Sequence, residues 1–85
     1  MGAATKESWQ PWVKIKWKPG APASAWESWK GNPNIKAAWS TQGQWDGLLW
    51  LNFGTWDELE NFVWKNVRTN QWVEATESQW SKQWL

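Results

Sequence analysis

The chain has 85 residues, with nine Lys and Arg against eight Asp and Glu and a net charge of +1, which allows one domain and excludes a strongly basic nucleic-acid footprint. It contains no Cys and no His, which excludes disulfides, thiolate nucleophiles, thiolate metal sites and imidazole as base or ligand. The anomaly is aromatic: 13 Trp stand beside 2 Phe and no Tyr, far from ordinary usage.

Residues 1–10 are small and polar with no clear period, and are expected to form a loose arm ahead of a domain over 11–85. Nothing near Met1 has the pattern of a signal peptide. No apolar run approaches the ~20 residues a membrane helix needs. The expected setting is the soluble cytoplasm, with no membrane partner.

The first strand is predicted over Trp12–Lys18, where Val13, Ile15 and Trp17 alternate with Lys14, Lys16 and Lys18. That period of two marks a half-buried strand, and the lysines read as its solvated side. Pro19-Gly20 ends it. A short helix follows, with Pro22 in its first turn and Ala25, Trp26 and Trp29 as an apolar stripe. Gly31 is placed for a left-handed cap.

A second strand is predicted over 35–41, a turn at Gln42-Gly43-Gln44 and a third strand over 45–53. The third strand is almost continuously apolar, so a cover is expected on both faces: the helices on one, a partner on the other. The second helix is the clearest element. Thr55 stands as its N-cap with Glu58 three residues on, a capping-box pattern. Trp56, Leu59, Phe62, Val63 and Val67 recur at helical spacing. Asp57, Glu58 and Glu60 sit toward the positive end of the helix dipole, Lys65 and Arg68 toward the negative end. A last strand is predicted over 72–84, with Trp72, Thr76, Ser78, Trp80 and Trp84 on one parity unless a bulge shifts the phase. The order βαββαβ implies an α+β, ferredoxin-like domain: a four-stranded antiparallel sheet with both helices on one face. The other face is left bare, and a bare apolar face of that size normally meets a partner.

In that frame, Thr41-Gln42-Gly43-Gln44-Trp45-Asp46-Gly47-Leu48-Leu49 resembles the Gly-x-aromatic-Asp turn and following strand of the Lrp/AsnC effector-binding domain. The helix Thr55-Trp56-Asp57-Glu58-Leu59-Glu60-Asn61-Phe62-Val63, the strand Val73-Glu74-Ala75-Thr76-Glu77-Ser78 and the opening Val13-Lys14-Ile15-Lys16-Trp17-Lys18-Pro19-Gly20 are similar to that family's corresponding segments. The resemblance covers about Trp12 to Leu85. No helix-turn-helix segment precedes it, so a stand-alone or excised domain is expected, without specific binding to DNA. Trp occupies positions 26, 29, 39, 45, 50, 56, 64, 72, 80 and 84, where Val, Ile, Leu or Tyr is expected. That substitution implies deliberate re-engineering of core and interfaces with tryptophan.

The resemblance implies a dimeric α/β-barrel arrangement, with dimers pairing through their sheets and building rings or cages. It implies a small effector, usually a free amino acid, at contacts between dimers. Carried over by position, Thr41, Gly43, Gln44, Trp45 and Asp46 would line that site, with Thr76 and Ser78 nearby. Leu48, Trp50, Trp80 and Trp84 would serve the oligomer interfaces. Read from the residues alone, Asp46 is a turn-stabilising residue that bonds its own backbone, and Thr76 and Ser78 are cross-strand hydroxyls. No nucleophile cluster, carboxylate pair or metal-ligand set is legible, so no catalytic residue, metal or cofactor is expected. An enzyme of the related dimeric barrel group is the alternative, as is a Trp-faced binder of carbohydrate or single-stranded nucleic acid.

Overall fold

The computed structural model describes residues 9–85, and the expected arm over 1–10 lies outside that range but for its last two residues. The elements follow the predicted order. Strand β1 is Gln10–Trp17, helix α1 is Ala23–Trp29, strands β2 and β3 are Ile35–Ser40 and Gly47–Leu51, helix α2 starts at Trp56–Phe62 and runs on through Val63–Val67, and strand β4 is Val73–Ser81. All pairings are antiparallel and the sheet order is β2-β3-β1-β4. This is the ferredoxin-like arrangement read from the sequence. None of the helices among the described residues is long and apolar enough to cross a membrane.

β1 starts at Gln10, two residues earlier than expected, because Gln10 and Pro11 pair with Ser81 and Trp80 of β4. Its alternation holds: Pro11, Val13 and Ile15 are buried and the residues between them are not. β3 also alternates, with Gly47, Leu49 and Leu51 buried and Leu48 and Trp50 half-buried. Within one chain, therefore, one face of β3 is covered rather than two. A register shift at Lys16/Trp17 sets Trp17 opposite Val73 and Lys16 opposite Ala75, so Glu74 is the extra residue of a bulge. The bulge brings Val73 and Thr76 to the same face of the sheet. β4 ends at Ser81, so Trp84 lies beyond the strand and is 83% exposed.

The first helix is a tight 3-10 helix, and Pro22 is its cap rather than a residue of its first turn. Gly31 takes the left-handed conformation expected, with φ of 78°. In α2 the cap forms as predicted: Thr55 Oγ1 accepts from the Glu58 amide at 3.2 Å, and Glu58 Oε1 accepts from the Gly54 amide at 3.2 Å. The helix then widens into a π turn, in which the Arg68 amide reaches the Val63 carbonyl at 2.8 Å. The Asn66 carbonyl accepts the Trp29 indole N–H at 2.9 Å, which ties α1 to α2. Asn70 strengthens that tie, donating to the Ala25 carbonyl at 2.8 Å while accepting from the Trp72 amide at 2.8 Å.

The core lies between the sheet and the helices. It consists of Val13, Ile15, Leu49, Leu51 and Val73 from the strands, Leu59, Phe62, Val63 and Val67 from α2, and Trp29 from α1. The expectation of a core filled with tryptophan is overturned, since Trp29 alone of the 13 is buried. Trp26 and Trp56, placed in buried stripes by their spacing, are 47% and 48% exposed. The reason is volume. A sheet of β-branched and Leu side chains under two short helices is filled by aliphatic groups, and an indole fits only where the layer ends.

Candidate functional site

The segment 41–46 is a loop between β2 and β3 that bonds back onto β1. Thr41 donates its hydroxyl to the Trp45 carbonyl at 2.7 Å and its amide to the Asp46 carbonyl at 3.0 Å. Gly43 has a φ of 116°, which lets the loop reverse without a Cβ clash. The Gln44 carbonyl accepts from Lys16 Nζ at 3.3 Å.

Asp46 is the junction. Its amide donates to the Ile15 carbonyl at 2.9 Å, and its Oδ2 accepts from the Trp17 amide at 2.9 Å. β3 begins only at Gly47, so the carboxylate continues the hydrogen-bond ladder one step past the end of the strand. Gly47 itself has no room for a side chain, because a Cβ there would meet Ile15 Cγ1 at 2.9 Å. Thr76 and Ser78 face Ile15 and Val13 across β1. Ile15 also pairs with Gly47, so Thr76 stands two strand spacings, about 10 Å, from the foot of the loop. In one chain these hydroxyls and the loop do not meet.

Beside the loop, on the helix side of the sheet, a groove of about 430 Å³ runs between α1 and β2. Of the seven residues carried over as ligand contacts, Asp46 alone lines it. Its walls include Trp17 and Trp29, stacked at 5.6 Å, and Trp26, with Lys30 at the rim. Spacing alone did not reveal these residues as one wall, because Trp17 comes from β1 and the others from α1 and its C-cap.

On the opposite face, register puts Trp12, Lys14 and Lys16 of β1, Leu48 and Trp50 of β3, and Ala37 and Trp39 of β2 together. Trp12 stacks on Trp50 with ring centroids 5.6 Å apart and tilts against Trp39 at 5.8 Å. Trp50 donates its N–H to Gln10 Oε1 at 3.2 Å and carries the Lys36 ammonium 4.2 Å above its ring. The Trp12 N–H is buried and finds no acceptor among the described residues. Leu48 and Trp50 thus share a patch, whereas Trp80 lies opposite Pro11 on the helix side, 6.3 Å from Trp56. No group of three or more acidic side chains converges on a metal-sized point among the described residues.

No protein-family model matches the sequence, and no curated protein does either. Solved structures do match by shape. The structure of Escherichia coli AsnC superposes with a TM-score of 0.78 at 15% identity, covering 98% of this chain and 56% of that one. A transcriptional regulator from Neisseria meningitidis, solved as a complex with L-Met, matches with a TM-score of 0.75 at 16% identity, covering 98% and 55%. The fold is the one these regulators contain. The chain spans about half their length. A hypothetical protein from Pyrococcus horikoshii, PHS023, is matched over 90% of its own length, with a TM-score of 0.71 at 16% identity.

Proposed function

We propose that this chain is an effector-binding and self-assembly domain of the Lrp/AsnC kind, without catalytic activity and without a cofactor. The observation that carries the self-assembly is the bare sheet face with Trp12, Trp39, Leu48 and Trp50 at its centre. Covering apolar area is worth ~25 cal/mol per Å², a large gain for a domain of 85 residues. A two-fold pairing of sheets covers both copies with one self-complementary surface. Trp84 and the end of β4 then project past the pair and offer a contact between dimers, closing a ring or cage.

The effector is a free amino acid, taken up where copies meet near Thr41–Asp46, with Thr76 and Ser78 supplied from the neighbouring copy. Support comes from the fold shared with a regulator solved with L-Met, and from the separation of these hydroxyls from the loop within one chain. A domain with these roles works in the cytoplasm, where free amino acids report nutrient state. Light scattering at micromolar concentration tests the assembly, with a dimer or a multiple of it expected. A stable monomer would sink the pairing. An amino-acid panel at millimolar concentration tests the effector, since a ligand of the folded state raises the melting temperature.

The open face favours one second reading. Lys14 and Lys16 follow Trp12 along that face of β1, and stacked indoles beside lysines suit single-stranded nucleic acid. Lys14, however, stands directly opposite Glu77 of β4, and a carboxylate at that register position weakens a phosphate track. Titration with a fluorescent oligonucleotide at physiological salt separates the readings, because nucleic acid and a second sheet compete for one face.

A further inference from the structure

We infer that the groove between α1 and β2 is a second binding site, built for an uncharged aromatic molecule with one N–H or O–H, of the indole or phenol type. It lies apart from the effector position proposed above, with which it shares Asp46 alone. It opens on the helix side of the sheet, so pairing of the open faces leaves it accessible.

The groove exists because the layer above the sheet stops short of β2. Ala38 and Ser40 face the helix side by their pairing with Leu49 and Gly47, yet both are exposed while the residues opposite them are buried. The helix beside them has only seven residues and ends at Trp29. The side chains of Ala38 and Ser40 are too short to fill the gap, and Gly47 adds none. Ile15 and Leu49 close the back with buried apolar groups. The space left, about 430 Å³, lies in the range of small-molecule sites.

The walls ask for a flat ring. In a 3-10 helix residues three apart lie above one another, so Trp26 and Trp29 share a face of α1. Trp29 is stacked on Trp17 and fastened through its N–H to the Asn66 carbonyl. Trp26 lines the groove yet is 47% exposed, and no other aromatic ring packs on it among the described residues. A ring laid against Trp26 gives that indole the stacked contact Trp29 already has, which a saturated molecule of the same size does not.

The charges ask for a neutral one. Of the side chains that line the groove, two are charged, Lys30 and Asp46, and each is already engaged. Asp46 Oδ2 accepts from the Trp17 amide at 2.9 Å, and Lys30 Nζ lies 5.6 Å from the centre of the Trp26 ring. Drawing Asp46 toward a ligand would undo the bond that extends the ladder past the end of β3. A charge on the ligand would otherwise lie against Ile15, Leu49 and the indoles, where an unpaired charge is costly. The Ser40 hydroxyl on the floor can donate or accept, which suits a single N–H or O–H on the ring.

Isothermal calorimetry on the full chain with indole and phenol tests this. Cyclohexanol serves as the saturated probe, and indole-3-acetate and tryptamine as the charged ones. Indole and phenol should bind, cyclohexanol about fivefold more weakly than phenol, and both charged indoles about tenfold more weakly than indole. Trp26→Ala should weaken indole about fivefold. Ala38→Phe and, independently, Ser40→Leu fill the floor and should abolish binding. Trp50→Ala, on the open face, should leave it unchanged. The effector reading is tested separately, by the amino-acid panel. No heat with indole or phenol would overturn the inference, as would a charged indole binding as tightly as indole itself. Unaltered indole affinity in both floor variants, or a loss confined to Trp50→Ala, would place the ring elsewhere and overturn it too.

Discussion

The two faces of the sheet solve the same packing problem with different residues. Beneath the helices the strands present Val13, Ile15, Leu49, Leu51 and Val73, and the cover is aliphatic apart from Phe62 and Trp29. On the open face the same strands present Trp12, Leu48 and Trp50, with Trp39 alongside. The covered face is closed by its own chain and needs side chains that interdigitate at crystal-like density. The open face has no cover within the chain, so large rings lie flat on one another and shield what they can. Tryptophan therefore collects where the chain's own packing ends. It serves at boundaries, as at Trp56 against Trp80 on the sheet's outer edge and Trp26 over the groove.

Substitutions can break that contrast in descending order of effect. The largest loss is expected in the covered layer. Leu59 is fully buried, so Leu59→Ala should cost ~2–5 kcal/mol in urea unfolding. A cost below about 1 kcal/mol would show that the aliphatic layer is not the stabilising one. On the open face, Trp12→Ser with Trp50→Ser should halve the mass seen by light scattering and make the remaining fold melt lower. An unchanged mass would move the interface elsewhere. Thr55→Ala removes one cap hydrogen bond of 3.2 Å and should cost about 1 kcal/mol. The smallest change is expected at Trp64, which is 60% exposed and carries the Arg68 guanidinium 4.3 Å above its ring. Trp64→Ala should shift stability by no more than ~0.5–1 kcal/mol, the range of an exposed cation–π pair. A larger loss there would mean that surface indoles hold the fold together.

The candidate site was legible in pieces. The turn around Gly43 and the role of Asp46 as a backbone acceptor follow from residue type. Its acceptor role is longer-range than expected, because the amide it receives belongs to Trp17 of β1 rather than to its own turn. The groove was invisible in the sequence. It depends on the smallness of Ala38 and Ser40 meeting the shortness of α1, a coincidence of elements with no spacing of its own. The same limit hid Asn70, whose two hydrogen bonds reach Ala25 and Trp72.

Local rules were sufficient wherever one segment sets its own conformation. Alternation in β1, the Thr55 cap, the left-handed Gly31 and the βαββαβ order are all written in stretches of a few residues, because strand pleat, cap chemistry and glycine backbone act over that range. Tertiary structure alone decided which tryptophans are covered, where β4 changes phase and how α2 widens. Each of those depends on the space left between layers. Spacing assigned Trp26, Trp29 and Trp56 to buried stripes alike, yet only the π turn at Val63–Val67 and the carbonyl of Asn66 make a place for Trp29. Periodicity reports which side of an element a residue lies on, and only the packed layers determine whether anything stands opposite it.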